Sequence, residues 1–170
     1  MNIIFKRTSV RKYTGEAVSD EQIELILKAG MAAPSGCNAQ PWEFLVIQDK
    51  EILKEIAINH PNASMLPQAG LGIVVCGDVT KVPAKAPDVP FWIQDCAAVT
   101  QNIMLQATEL GLGSVWIGVY PREDVFKPIK NMLNLPEKIM PFSIVAIGHP
   151  DGEVQPKDKF DKAKIHFEKW

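Results

Sequence analysis

Four short stretches carry side chains whose types and spacing could do chemistry. RTSVRKYT (7–14) sets Arg7 and Arg11 on either side of Thr8 and Ser9, in a chain of net charge −2. Guanidinium groups are planar, permanently charged donors suited to phosphate, and a hydroxyl adds a short neutral donor. The segment reads either as a solvated charged face or as a clamp for an anion. PSGCNAQPW (34–42) crowds small polar residues between two prolines, as a helix-to-strand turn does, but it holds more side-chain donors and acceptors than a turn needs. ELGLGSVWIG (109–118) brings three glycines to a helix end and the strand after it, and the tail from 151 onward is polar and rich in lysine.

Other chemistries lack their residues. GLGSVW (111–116) imitates a dinucleotide fingerprint, but it follows a helix rather than linking a strand to one, and Trp116 stands where the third glycine belongs. No GxxxxGK[ST] phosphate loop occurs. His60, His149 and His166 are scattered with no nucleophile beside them, so each reads as a surface or hydrogen-bonding residue. Cys37, Cys76 and Cys96 have neither disulfide nor metal-ligand spacing, and no metal is expected. Cys76 and Cys96 sit in apolar sequence like small buried hydrophobes, which fits a reducing, cytoplasmic compartment.

Composition sets the class. With 170 residues, 46% hydrophobic and 22% charged, the chain suits one globular domain spanning 1–170. The slightly acidic balance argues against a nucleic-acid partner. No apolar run approaches the roughly 18 residues that span a bilayer, so no membrane association is expected.

The elements that must hold these stretches follow from periodicity. Ser19 before Asp20, Glu21 and Gln22 predicts a capped helix with Ile23, Ile26, Leu27 and Met31 on one side, ending before Pro34. Phe44–Ile47 reads as a buried strand. Asp49 caps a helix over 50–59 with Ile52, Leu53, Ile56 and Ala57 inward, and 71–78 is a second apolar strand. The proline-rich stretch 79–91 reads as a mobile loop. Residues 92–110 form a long helix with apolar side chains around nearly half its circumference, which calls for two covered faces and so for a homodimer. Gly111 ends that helix, and 114–120 and 142–150 are strands separated by a short helix. Strands alternating with helices give α+β or α/β.

Taken together and in order, R-x-S-x-[RK], P-S-x-x-N-x-Q-P-W, the long central helix and G-L-G-S-x-W resemble the nitroreductase family of flavin mononucleotide (FMN) enzymes, over essentially the whole chain. The resemblance implies an α+β three-layer sandwich, a mostly antiparallel sheet flanked by helices, in an intertwined homodimer with flavin at the subunit interface. It implies that Arg7 and Ser9 hold the phosphate, with Thr8 between them as a further cofactor contact and Lys157 and Lys159 as tail candidates, although arginine is common there in the family. Arg11 lies nearer the ribityl chain and the N1–O2 edge of the ring. Asn38 pairs with the N3–O4 edge, since an amide both donates and accepts. Pro34, Ser35 and Gln40 are neighbouring contacts, some reaching the other subunit's flavin. Trp116, Ile117 and Gly118 form the strand behind the ring, with the Gly118 N–H near N5 and no catalytic side chain. Some family members carry an acidic residue at the place of Gly118. Phe91 and Trp92 are candidate walls of the substrate pocket. The implied activity is ping-pong transfer of hydride from NADH or NADPH to a nitroaromatic, quinone or similar small acceptor. The alternative is a flavin-binding module of the same fold with other turnover, dehalogenating or flavin-modifying, or with none.

Overall fold

Asn2 begins the described chain, residues 2–170 of a computed structural model, and its side chain caps one helical turn, α1 (Ile3–Lys6), by accepting the Ile4 N–H at 3.0 Å. Ser9 pairs in parallel with Ser114 and Tyr13 antiparallel with Pro150. Helix α2 (Asp20–Met31) starts on the predicted cap: Ser19 Oγ accepts the Gln22 N–H while the Gln22 side chain accepts the Ser19 N–H. It turns Ile23, Ile26 and Gly30 inward, and Ile103 Cγ1 would lie 3.1 Å from a Cβ at Gly30, so the two helices meet closely.

Strand β1 (Trp42–Ile47) leads to α3 (Lys50–Asn59), whose cap Asp49 accepts the N–H groups of Glu51 and Ile52. Leu53 and Ile56 are fully buried, but Ile52 is 39% exposed rather than inward. Strand β2 (Leu71–Asp78) is buried at every residue. The long helix α4 (Phe91–Glu109) ends as predicted with Gly111 at φ +75°. Leu112 N–H donates to Ala107 O at 2.8 Å and Gly111 N–H to Thr108 O at 3.1 Å, the paired bonds of a Schellman motif. Strand β3 (Gly113–Gly118), helix α5 (Glu123–Met132) and strand β4 (Ile139–Gly148) complete the core.

The sheet is antiparallel throughout, in the order β1-β2-β4-β3. Strand alternation divides the core. Val74, Ile144, Ala146 and Ile117 pack under Leu53, Ile56 and Ile129, while Ile73, Val75, Val145 and Ile147 pack under Ile26, Val99 and Ile103. This is the expected α+β three-layer sandwich. The prediction of a buried β1 is corrected: it is an edge strand with Glu43 and Val46 exposed, because the buried centre belongs to β2 and β4. The tail 151–170 is exposed along its whole length.

The approach of residues 7–11 to β3 requires a glycine. A Cβ at Gly113 would stand 2.8 to 2.9 Å from Cβ, Cγ1 and Cγ2 of Val10. Gly113→Ala therefore pushes the segment off the sheet, and a loss of about 1–3 kcal/mol is expected in urea unfolding.

Candidate functional site along the free edge of the sheet

Strand β3 has β4 on one side and no strand on the other. Val119 N–H donates to Phe142 O at 3.1 Å, and the register pairs Ile117 with Ile144 and Gly118 with Ser143. Successive peptide groups of an antiparallel strand point alternately toward and away from the partner. Ser114, Trp116 and Gly118 thus direct their N–H and C=O groups off the free edge. At one end the Ser114 carbonyl accepts the Val10 N–H at 2.9 Å. At the other, four residues or roughly 13 Å along, Gly118 is exposed and no atom lies within 4 Å of the place of a Cβ. Between them Ile117 is buried, and half-buried Trp116 packs edge-on to Phe142 with ring centroids 5.7 Å apart.

The Ser114 end is cationic. A cavity of about 700 Å³ is lined by Arg7, Thr8, Lys157 and Lys159, with Phe5 and Phe160 as apolar walls and Asp158 as its one carboxylate. A second cavity of about 240 Å³ shares Thr8 and Lys157 and adds Ser9, Arg11 and Lys12, opposed by Asp151 and Glu153. Among the described residues, none of Arg7, Arg11, Lys157 or Lys159 forms an ion pair. Their charge is available to an anion.

Loop 34–40 holds the other predicted residues, in an unusual backbone. Cys37, Asn38 and Gln40 all have left-handed φ, at 51°, 56° and 47°. Such conformations in non-glycine residues are costly and concentrate at ligand sites. The turn is held internally by Gln40 N–H on Ser35 Oγ and Gln40 Nε2 on Asn38 Oδ1, each at 3.0 Å. It is fastened to α4 by Gly36 N–H on Asp95 Oδ1 at 2.9 Å, with the half-buried Phe91 ring against Gly36. Pro34, Asn38 and Gln40 are exposed and Ser35 half-buried. The loop enters β1, at the sheet edge opposite β3, so the two groups of predicted residues are presented by opposite edges.

Trp92, named above with Phe91 as a candidate pocket wall, packs inward. It is 7% exposed, stands edge-on to Tyr120 and Phe142, and would lie 2.5 Å from a Cβ at Gly77, so its ring belongs to the core. Asp95 went unrecognised as a site residue, although it is the one carboxylate in α4 before Glu109. It is 5% exposed, and its Oδ2 has no partner among the described residues. Burial lifts its carboxyl above the usual range despite the opposing pull of the Gly36 N–H. At the base of loop 79–90, burial would likewise raise Asp78, but hydrogen bonds from Thr80 and Lys138 outweigh it and hold this carboxyl at about 2. Among the described residues no helix is long and apolar enough to cross a membrane, and no three His, Cys, Asp or Glu side chains converge as a metal site needs.

Comparison with known proteins gives consistent matches. The profile described as Nitroreductase family matches residues 4–59 and 54–149. A protein of Archaeoglobus fulgidus with the provisional name NADH dehydrogenase/NAD(P)H nitroreductase is 45% identical, over 100% of this chain and 98% of its own. A Clostridium acetobutylicum crystal structure, provisionally named an NADH oxidase, superposes with a TM-score of 0.93 at 40% identity, covering 99% of this chain and 100% of the other. An FMN-dependent nitroreductase of Clostridium difficile superposes at 0.88 with 34% identity, covering 99% and 98%.

Asp95→Asn keeps an oxygen for the Gly36 N–H and removes the ionisable proton. Because the wild-type carboxyl is raised on folding, its ionisation weakens the fold as pH rises from the ordinary Asp range, near 4, through the folded value. At pH 7 the variant is expected to unfold at a higher urea concentration than wild type, with the difference shrinking toward pH 4.

Proposed function

This chain belongs to the nitroreductase family, and from that premise we propose that it is an FMN-dependent oxidoreductase taking hydride from NADH or NADPH and delivering it to a small acceptor such as a nitroaromatic or a quinone. The observation that carries the reading is the division of one sheet edge into a cationic cradle at Ser114 and an open, outward peptide at Gly118. A flavin nucleotide has the same division, with a dianionic phosphate at one end and a flat heteroaromatic ring at the other.

The residues fit that group. Arg7, Thr8, Ser9, Lys157 and Lys159 would hold the phosphate by charge-assisted bonds, and Arg11, on the second cavity, would set positive charge toward the ribityl arm and the ring. Trp116 and Ile117 would back the ring. The open space at Gly118 would admit its central portion, with the outward N–H as donor to N5. Once bound, FMN supplies the acceptance of hydride from the nicotinamide and its return to an oxidised substrate. The chain's own part is binding, orientation and a positive field, with no side-chain acid or base. One open face serves donor and acceptor in turn, which is the basis for ping-pong kinetics.

Completion of the site by a second copy accounts for the rest. Loop 34–40, with Pro34, Ser35, Asn38 and Gln40, is presented from the edge opposite the cradle, so the loop of one protomer would meet the flavin of the other. Several helix positions stay half-covered, including Ala97, Gln101 and Leu105, and the exposed tail carries Phe160, Phe167 and Trp170 at 71%, 82% and 100% exposure. An intertwined homodimer would cover both. Phe91, packed on the loop, is the proposed pocket wall.

Anaerobic addition of NADH and of NADPH to FMN-loaded protein is expected to bleach the flavin, and a nitroaromatic or quinone to restore its colour. Failure of the wild-type protein to take up FMN overturns the reading. Arg7→Ala removes a charged donor and is expected to raise the FMN dissociation constant roughly ten- to hundredfold in a fluorescence titration.

A further inference from the structure

Gly118 presents two polar groups to the free edge, and one of them is already taken. Its carbonyl oxygen lies 2.8 Å from His60 Nε2. The ring is 1% exposed, and its Nδ1 accepts the Asn62 N–H at 3.1 Å. With Nδ1 an acceptor, the ring proton resides on Nε2 and is donated to Gly118. His60 directly follows α3, whose Leu53 and Ile56 are fully buried, so the donor stands on a well-anchored element. Gly118 itself is held by β4 only through its neighbours Ile117 and Val119. It has no side chain, nothing lies within 4 Å of the place of a Cβ, and just beyond it the N–H groups of Val119 and Tyr120 both turn to Phe142 O as β3 leaves β4. A glycine at a strand end has wide backbone freedom.

We propose that His60 is the positioning residue of the Gly118 N–H: by holding the Gly118 carbonyl against the end of α3, it fixes the tilt of residue 118 and leaves the N–H as that residue's free donor toward the flavin. The role rests on the flavin reading above. His60 transfers no proton and touches no substrate. Its effect passes through the Gly118 Cα, from the peptide that carries the carbonyl to the one that carries the N–H, and occupying the carbonyl also keeps an acceptor oxygen from facing the ring.

The test compares His60→Leu, which has no donor, with His60→Gln, which offers an amide N–H. Apoprotein of each is titrated with FMN, and the midpoint potential of the bound flavin is measured. His60→Leu is expected to bind oxidised FMN about tenfold more weakly, as for one lost hydrogen bond. Its potential is expected to rise, because a donor aimed at N5 serves the lone pair of the oxidised ring and not the N–H of the reduced one. His60→Gln is expected to restore both values toward wild type, whatever the two variants do to apoprotein melting. Equal losses in both variants, or wild-type affinity and potential in His60→Leu, overturn the proposal. In ligand-free wild-type protein, NMR should detect a coupling from His60 Nε2 across the hydrogen bond to the Gly118 carbonyl carbon. Absence of that coupling overturns the positioning role alone, even if no variant folds. Failure of wild-type apoprotein to bind FMN overturns the flavin reading and the role built on it.

Discussion

The outward peptide groups of β3 are the constraint on which the rest of the site depends. A strand at the edge of a sheet leaves a row of donors and acceptors without a partner strand, and such an edge must be covered, blunted or used. Here it is used piecewise. Val10 takes the Ser114 carbonyl and so draws Arg7, Thr8, Ser9 and Arg11 alongside the sheet, while His60 takes the Gly118 carbonyl from the opposite end. The absence of side chains at Gly113 and Gly118 serves different ends. At Gly113 a Cβ would collide with Val10, whereas at Gly118 it would enter empty space. The first glycine brings the clamp in, and the second leaves room.

A second constraint governs loop 34–40. Three non-glycine residues in left-handed conformation raise its local energy, and the turn keeps its shape because Gly36 is tied to Asp95 and its remaining bonds close on themselves. Asp95 in turn is a buried carboxylate with one oxygen unpartnered among the described residues. Tension is thus concentrated where α4 meets the loop.

These features bear on how a chain of ordinary composition could support the proposed hydride transfer without catalytic side chains. Mobile or exposed groups bind poorly unless something fixes them. The clamp is fixed by the sheet edge, the loop by α4, and Gly118 by the end of α3. The tail contributes Lys157 and Lys159 to the cationic cavity while its aromatic end stands exposed.

Local signals were sufficient for most of the fold. The Ser19 and Asp49 caps, the helical spacing of Ile23 and Ile26, the apolar run of β2 and the glycine after α4 each act within a few residues, so a linear reading finds them. The motifs also picked out residues that line the cationic cavities and the strained loop. Tertiary structure alone decided that β1 lies at an edge, that Ile52 faces outward, and that Trp92 is core beneath Gly77. It alone joined His60 to Gly118, 58 residues apart, and Asp95 to Gly36, 59 apart. The physical reason is that caps, turns and periodicity are written in neighbouring residues, whereas strand order, and with it which peptide groups are left facing outward, arises from pairings between distant segments that no local pattern encodes.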